Sequence, residues 1–392
     1  MRTHGAANVV MLACVALGPA AARAGGDEAF RTRLAEMAKS EGLPGYSAVL
    51  IRDGKIVWAA ASGYADVEAK VPATADTPYR LASLSKPIAA TILMKLVESG
   101  DIDLDAPMKQ FDMHAWFEPG SGSWAHYPAR YDDGVIQVRH VLTHTSESVP
   151  PGEAYNYNGN IFGDLTWVVE SVTHQSYPNV VIKRILDPLG MKNSSPGQLV
   201  PSRQDVAQRL AKPYKIEDGK ALRATYPGFG LDPDVDVTPW NLKPAYRLPR
   251  ESQEARRELL GDAFTPLYSS QTAAGLIASV NDLAKFDIAF DGERLVSAAT
   301  RREMFTPSRT SNGERLPYGL GWFVEDMDGT TVVWHYGWFP PVISALYVKI
   351  PAKHLTFIML TNCDKLSADY AWSAEGVRAS PITSLFLDTC LQ

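Results

Sequence analysis

Hydrophobic residues form short β-rich runs near both ends of the chain and recur at helical spacing between them. Near the N-terminus, residues 46–51 and 55–61 flank Asp53-Gly54, a dipeptide typical of two-residue β-hairpins. Toward the C-terminus, four comparable runs are separated by turn residues: 318–324, 331–335, 343–350 and 355–360. The pattern predicts a hairpin near one end of the chain and a β-meander near the other.

Helical periodicity dominates the rest of the chain. Residues 27–40 carry Phe30, Leu34 and Met37 at helical spacing, and a Gly-Leu-Pro-Gly run ends this segment. Further helices are predicted at 87–97, 138–144, 162–172, 180–186, 272–286 and 373–387. With the strands, they favour an α+β fold. An antiparallel sheet from both chain ends would be flanked by helices, with a helical lobe inserted.

Two long stretches, residues 112–134 and 193–264, lack clear periodicity and are rich in proline, aromatic and charged residues. Loops of this length are uncommon unless they are functional, so these stretches are expected to shape a pocket; packed surface loops are the alternative.

Within the predicted helices, we expect Asn281-Asp282 to provide a cap and Pro381 to interrupt the last helix.

The first 24 residues have the composition of a secretory signal peptide. Arg2 provides a positive start, residues 6–22 are apolar or small, and Ala22-Arg23-Ala24 fits the small-x-small cleavage pattern. We therefore expect cleavage after Ala24 and a periplasmic or secreted protein. No later segment approaches the roughly 20 apolar residues of a membrane-spanning helix, so no stable span is expected after cleavage.

The charge, the cysteines and two histidines bear on three further properties: nucleic-acid binding, disulfide formation and metal binding. The net charge is −6 over 392 residues without a sustained basic run, which argues against a nucleic-acid-binding surface. Cys14 would leave with the signal peptide. Cys363 and Cys390 would then either form one disulfide or remain thiols, one buried at a strand end and one in a loose tail. His140 and His144 have the spacing of metal ligands on a helix but lack a Glu or Cys partner, which favours structural roles.

The main candidate for chemistry is the stretch from Arg80 to Lys86. Ser83 and Lys86 lie three residues apart at the start of a predicted helix, so their side chains share one face. Partial positive charge at a helix start favours an alkoxide and disfavours an ammonium, as a serine nucleophile beside a neutral lysine requires. The spacing alone is equally compatible with a capping serine beside a solvated lysine.

Two further stretches carry weaker signals. The glycine- and asparagine-rich loop 151–160 contains Tyr157, whose phenol could serve a reaction centre. The strand-like run 332–338 contains His335 and then Gly337, a residue type that permits close approach to the backbone. Taken singly, each signal has another explanation. Tyr157 is also compatible with aromatic packing in a loop, and His335 with an edge strand that carries a partly buried histidine.

Taken in order, Ser-x-x-Lys, the tyrosine loop and the Gly-ending strand resemble the motifs of the serine β-lactamase and penicillin-binding-protein superfamily. The similar branch is the class C-like one, with DD-peptidases, class C β-lactamases, D-aminopeptidases and esterases. Four flanking segments match it as well: 79–83, 138–146, 274–286 and 318–322. The resemblance implies a β-lactamase/transpeptidase-like fold and one catalytic domain, 25–392. Its α/β part would be about 25–82 and 272–392, and its helical lobe with insertions about 83–271.

The resemblance also implies roles for the residues of the first two motifs. Ser83 would be the acylated nucleophile, and Lys86 the neutral amine that accepts its proton. Tyr157 would share the proton relay and serve the leaving group or the incoming water. Neither a metal nor a cofactor is implied.

The third motif supplies the substrate-binding strand in this resemblance. His335 would stand where β-lactamases have lysine, so a substrate carboxylate would be bound weakly and in a pH-dependent way, because a histidine is only partly charged near neutral pH. Gly337 would line the pocket. The backbone N–H groups of Ser83 and Trp338 would form the oxyanion hole.

Three positions depart from the family pattern. Gly159 stands where asparagine is usual, so one amide contact to the substrate would be missing unless Asn158 or Asn160 replaces it. Glu147 and Pro341 both stand where glycine is common near the pocket.

The predicted function is that of an exported serine hydrolase that forms an acyl-enzyme at Ser83 and cleaves an amide, β-lactam or ester bond. A DD-peptidase or β-lactamase-like activity on a small-molecule or peptide substrate ranks ahead of a carboxylesterase. The alternative of another class is a non-catalytic, penicillin-binding-like sensor. The sequence fixes neither the substrate nor the oligomeric state.

Overall fold

The β-rich runs at both chain ends form one antiparallel sheet. The computed structural model describes residues 19–111, 128–131, 133–198, 200–224, 271–367 and 376–390. Its strands are β1 (Gly45–Arg52), β2 (Lys55–Asp66), β3 (Val71–Pro72), β4 (Tyr79–Arg80), β5 (Tyr214–Glu217), β6 (Lys220–Arg223), β7 (Ile277–Ala278), β8 (Phe323–Met327), β9 (Thr330–Phe339), β10 (Ile343–Ile350) and β11 (Leu355–Thr361). Seven of these strands form the central sheet, in the order β3-β2-β1-β11-β10-β9-β8.

The middle of this sheet joins the two ends of the chain. Strand β1 pairs with β2 on one side and with β11 on the other, where Tyr46 lies opposite Thr361. The β1–β2 turn has positive φ at both Asp53 and Gly54, as a type I′ hairpin requires. The predicted antiparallel sheet from both chain ends is therefore confirmed.

Helices cover both faces of the sheet. They are α1 (Pro19–Ser40), α2 (Ser85–Glu98), α3 (Val138–Leu142), α4 (Gly159–Gly163), α5 (Leu165–Thr173), α6 (Tyr177–Val181), α7 (Asp187–Leu189), α8 (Gln204–Gln208), α9 (Val280–Asp291), α10 (Ala298–Met304) and α11 (Pro381–Cys390). A π-helical segment, Ile182–Leu186, joins α6 to α7.

Two predicted helix boundaries are wrong for local reasons. Pro381 does not interrupt the last helix but begins it, because a proline at the first helical position loses no intrahelical hydrogen bond. Helix α9 starts only at Val280. Its N-cap is Ser279, whose side chain accepts a hydrogen bond from the Asp282 backbone, and not Asn281-Asp282.

One face of the sheet is covered by α1 and α11. The rings of Phe30 in α1 and Phe386 in α11 lie 5.0 and 5.4 Å from the ring of Phe357 in β11. An ion pair between Asp27 and Arg52, at 2.6 Å, adds a polar link from α1 to β1. The two helices nearest the chain ends therefore share one apolar layer with the sheet.

The opposite face packs against α2 and α9. Helix α2 is enclosed on nearly all sides: Ile88, Ala89, Ile92 and Leu93 are each at most 3% exposed. A helix that is apolar all round belongs to a core rather than to a surface. The segment that begins at Ser85 is therefore a rigid platform for the residues at its start.

Cys363 and Cys390 are both buried free thiols. Of the two alternatives, the unpaired thiols are confirmed and the disulfide is wrong. The expected loose tail is wrong as well, because Cys390 is the last residue of α11.

The two irregular stretches are only partly covered. Residues 112–127, 132 and 225–270 lie outside the described residues, as does residue 199. The described part of the second stretch contains the β5–β6 hairpin. Within the described ranges, no helix combines the length and the apolar character that crossing a bilayer requires.

Candidate active site

Ser83 lies in a short 3₁₀ turn, Ala82–Leu84, that leads directly into α2. The turn is fixed from behind, because Leu81 donates its backbone N–H to the Leu276 carbonyl at 2.9 Å. Ala82 adopts φ +45°, a sparsely populated conformation for a residue with a side chain. Such strain persists only where the surroundings impose it, and it occurs often at functional sites. Ser83 itself is partly exposed at the start of the buried helix.

Lys86 is the buried base candidate beside Ser83. Its Nζ lies 3.0 Å from Ser83 Oγ and 3.0 Å from the Ala273 carbonyl oxygen. The side chain is fully buried, and burial lowers the pKa of Lys86 to about 7. No carboxylate among the described residues forms an ion pair with it, so no negative charge there offsets the cost of burying an ammonium. A substantial fraction of Lys86 is therefore neutral near pH 7 and able to accept the Ser83 proton.

The lowered pKa of Lys86 predicts a pH-dependent activity. The neutral amine is the active form, and its fraction falls as pH drops through about 7. We expect kcat/KM to be nearly constant above pH 8 and to fall about tenfold per pH unit below pH 6. A steady-state profile from pH 5 to 9 with a neutral ester checks this expectation. An apparent pKa near 10 would contradict a desolvated lysine base.

Tyr157 completes the group of three residues that the sequence predicts. Its hydroxyl is buried, and no hydrogen bond among the described residues satisfies it. Burial raises its pKa, an effect that the nearby Ser83 hydroxyl partly offsets. The ring lies 4.9 Å from Lys86 Nζ and stacks on Phe323 at 6.0 Å. Tyr157 is therefore a neutral phenol that can donate a proton, and Lys86 is the better base.

Asn158 is engaged elsewhere and does not replace the missing asparagine at position 159. Its Oδ1 caps α4 by accepting the backbone N–H groups of Asn160 and Ile161, and its Nδ2 donates to Glu147. Asn160 is exposed. Among the described residues, no hydrogen bond joins either side chain to Ser83 or Lys86.

Gly159 leaves space beside the catalytic lysine candidate. A Cβ at this position would lie 3.7 Å from Lys86 Nζ, which is ordinary van der Waals contact. A longer side chain at position 159 would therefore reach the Lys86 amine. With glycine there, burial is the dominant influence on the Lys86 pKa.

His335 does not face a substrate as a charged group. It is fully buried, its Nδ1 donates to the Tyr336 carbonyl at 2.7 Å, and its Nε2 accepts from the Tyr318 hydroxyl at 2.9 Å. Burial holds its pKa well below the usual value, and the charge of Lys86 acts in the same direction. The prediction of a partly charged His335 is therefore wrong, because both ring nitrogens are engaged inside the core.

Gly337 lies where β9 packs on the Ser83 turn. A Cβ there would lie 1.9 Å from the Leu81 carbonyl oxygen and 3.2 Å from the Leu84 nitrogen. Only glycine permits this approach, which confirms the predicted close contact with a backbone. Trp338 follows along the strand and is 42% exposed. The oxyanion hole assigned to the N–H groups of Ser83 and Trp338 stays a prediction.

Tyr336, which is not among the predicted site residues, also belongs to this region. Its partly buried ring stacks on Phe323 at 5.9 Å and on Trp334 at 5.9 Å, and its phenol influences the pKa of Tyr157. Trp334, Tyr336 and Trp338 alternate along β9 and so share one face of the strand. That alternation was a readable signal for an aromatic wall next to the motif glycine.

The sheet order and the placement of Ser83, Lys86 and Tyr157 match the β-lactamase and penicillin-binding-protein type, whose known members are serine hydrolases. A profile of the beta-lactamase family matches residues 30–378, and the chain belongs to this family. Penicillin-binding protein 4* of Bacillus subtilis (strain 168) is 23% identical over 334 residues, which are 79% of this chain and 66% of that protein. A D-aminopeptidase of Gluconobacter oxydans (strain 621H) is 23% identical over 314 residues, 75% of this chain and 51% of that protein.

The chain thus spans about half to two thirds of the length of these curated relatives. Among solved structures, the D-amino acid amidase from Ochrobactrum anthropi SV3 complexed with L-phenylalanine amide is similar in fold. Its TM-score is 0.61 at 19% identity, and the match covers 93% of this chain and 98% of that one. The predicted β-lactamase/transpeptidase-like fold is confirmed.

Proposed function

We propose that the protein is an exported serine hydrolase that works through an acyl-enzyme at Ser83. The observation that carries the proposal is the 3.0 Å approach of Ser83 Oγ to a fully buried Lys86 Nζ, without a compensating carboxylate among the described residues. A nucleophile beside a desolvated amine is the arrangement that acyl transfer requires. The family membership supports the same reaction class.

The reaction proceeds in two proton-balanced halves. Lys86 accepts the hydroxyl proton as Ser83 Oγ forms a bond to the substrate carbonyl carbon. The tetrahedral intermediate then collapses, the bond to the leaving group breaks, and that group receives the proton from Lys86 through the Tyr157 phenol. Water then attacks the carbonyl carbon of the ester at Ser83 and gives a proton to the same pair. The bond between that carbon and Ser83 Oγ breaks, and Ser83 Oγ takes the proton back from the pair as the acid leaves.

We further propose that the substrate is an ester or amide without a carboxylate next to the scissile bond. His335 is neutral and enclosed, and the phenol of Tyr336 carries no charge to bind an anion. Carboxylesterase and aminopeptidase-like activities fit this site better than a DD-carboxypeptidase or a β-lactamase, which reverses the order that the sequence favours. The relative named D-aminopeptidase supports the amide alternative.

Intact-mass spectrometry tests the proposal. The protein is incubated separately with a p-nitrophenyl ester, a D-amino-acid p-nitroanilide and a fluorescent penicillin, and any adduct is mapped by proteolysis. We expect acylation of the peptide that contains Ser83, faster with the first two reagents, and none in Ser83→Ala. Absence of both adduct and turnover in the wild-type protein would refute the hydrolase. An adduct without turnover would favour a non-catalytic sensor.

The same measurement addresses export. The apolar N-terminal segment and the Ala22-Arg23-Ala24 pattern support cleavage after Ala24. Protein recovered from the periplasm of an expressing bacterium should then have the mass of a chain that begins at Gly25. A periplasmic chain that retains residues 1–24 would contradict this cleavage site.

A further inference from the structure

His144 lies directly against the loop that carries Tyr157. It follows α3, is 3% exposed and adopts φ +56°, a conformation that histidine tolerates better than most residues do. Its ring packs on the Tyr157 ring at 4.4 Å with an interplanar angle of 31°, and on the Phe162 ring at 5.2 Å. One flat side chain therefore fills the space behind the Tyr157 phenol.

His144 accepts two hydrogen bonds that hold the backbone on either side of Tyr157. The N–H of Asn156 donates to the His144 carbonyl at 2.8 Å, and the N–H of Asn158 donates to His144 Nδ1 at 3.2 Å. Tyr157 is the single residue between these two anchors. Its backbone can move only if one of them breaks.

The second anchor fixes the protonation state of His144. Because Nδ1 accepts a hydrogen bond, the proton of the neutral ring is on Nε2, which is buried without a hydrogen-bond partner among the described residues. Burial holds the His144 pKa well below its usual value, and the charge of Lys86 acts in the same direction. The neutral ring and its accepting Nδ1 are therefore maintained at neutral pH.

We propose that His144 is a positioning residue that fixes the backbone on both sides of Tyr157 and so holds the Tyr157 hydroxyl beside Ser83. The proposal rests on the function proposed above. It explains why a polar ring occupies this enclosed place: an apolar side chain would fill the same volume but leave the Asn158 N–H without an acceptor. An unsatisfied buried N–H is costly, so the loop would move toward water.

A matched pair of substitutions tests the role of Nδ1. Asparagine and leucine have the same branched shape beyond Cβ, but only asparagine places an acceptor near the position of His144 Nδ1. We expect His144→Leu to lower kcat about 10- to 100-fold, the scale of a roughly 1 Å displacement of a catalytic group, with KM changed less than about threefold. His144→Asn should recover at least about tenfold of that loss. Equal losses in the two variants would overturn the proposal.

His140→Leu is the control, at a position in α3, the helix that directly precedes His144. His140 Nδ1 also accepts a backbone N–H, from Gln137 at 3.1 Å, but that bond is outside the Tyr157 loop. We expect this variant to lower the thermal midpoint while kcat stays within about twofold of wild type. A loss of kcat as large as that of His144→Leu would show that a general disturbance of α3 is enough to lower the activity. The positioning role of His144 would then be refuted.

A double-mutant cycle with Tyr157→Phe separates positioning from general instability. If His144 acts through the Tyr157 hydroxyl, His144→Leu should lower kcat less than about twofold further in the Tyr157→Phe background. If the double variant loses kcat by the product of the two single-variant losses, the proposal would be overturned.

Hydrogen exchange of the Asn156 and Asn158 amides provides a readout independent of catalysis. Exchange should be faster in His144→Leu than in His144→Asn, and equal rates would overturn the proposal. If the wild-type protein shows no turnover, the proposed function fails, and the exchange comparison still decides whether His144 holds the loop.

Discussion

Replacing Lys86 with methionine is expected to lower kcat/KM by about 10³-fold, because the variant retains Ser83 and the pocket but has no base to accept its proton. Methionine has a similar length and no charge, so it fits the enclosed position next to the rings of Tyr157 and Phe162. Steady-state hydrolysis of a p-nitrophenyl ester measures the loss. Ser83→Ala sets the background rate.

The same substitution should leave the fold at least as stable as before. Burial of an amine disfavours the folded state, and an apolar side chain of similar size removes that cost. Loss of activity with an unchanged or raised thermal midpoint would identify Lys86 as a residue retained for chemistry. Lys95→Met, on the last turn of α2, is the control and should keep full activity. Activity of Lys86→Met above about one tenth of wild type would exclude Lys86 as the base.

Replacing Lys349 with methionine is expected to lower the free energy of unfolding by about 3–5 kcal/mol, because it leaves a buried carboxylate without its partner. Lys349 on β10 is 1% exposed and bonds to Asp287 on α9. Its Nζ also lies 3.0 Å from Asp291 Oδ2 and 2.9 Å from Thr356 Oγ1. Burial alone lowers the Lys349 pKa, but the two carboxylates more than offset this, so its net pKa is raised.

Unfolding by urea, monitored by tryptophan fluorescence, measures this effect. Lys349→Met combined with Asp287→Asn should recover part of the loss, since no buried charge then remains at position 287. Lys55→Met, at an exposed position on β2, should change stability by less than about 0.5 kcal/mol. A loss below about 1 kcal/mol in Lys349→Met would mean that this ion pair does not anchor α9 to the sheet.

Features set by local chemistry were predictable from sequence. The Asp53-Gly54 turn is specified by the two residues that adopt positive φ, and the three-residue spacing of Ser83 and Lys86 is enough to bring their side chains together. The start of α11 at Pro381 is equally local, since proline favours the first helical position, although an interruption was predicted there. In each case the decisive contact lies within a few residues of chain.

The orientation of His335 depends on contacts with segments that are distant from it in the chain or that cover the faces of the sheet. Residues 332–335 are buried on both faces of β9, so the strand has no exposed side to which the ring can turn. The unbroken apolar run Val332-Val333-Trp334 indicated such burial. The partners of its two nitrogens, however, come from the fold: Tyr318 approaches only when the 318–323 segment packs against β9. The engagement of Asn158 by Glu147 is likewise tertiary.

The central position of β1 has a consequence for how the protein is made. Thr361 Oγ1 donates to the Gly45 carbonyl at 2.7 Å, a contact between residues 316 positions apart in the chain. During N- to C-terminal synthesis, one edge of β1 therefore stays without its partner strand until β11 has emerged. Closing so long a loop is slow, and until it closes the unpaired edge of β1 can pair with another chain and so promote aggregation. A fragment that ends before Gly337 also lacks the part of β9 that packs on the Ser83 turn, so we expect a prematurely released chain to lack an intact Ser83 site and to be prone to self-association.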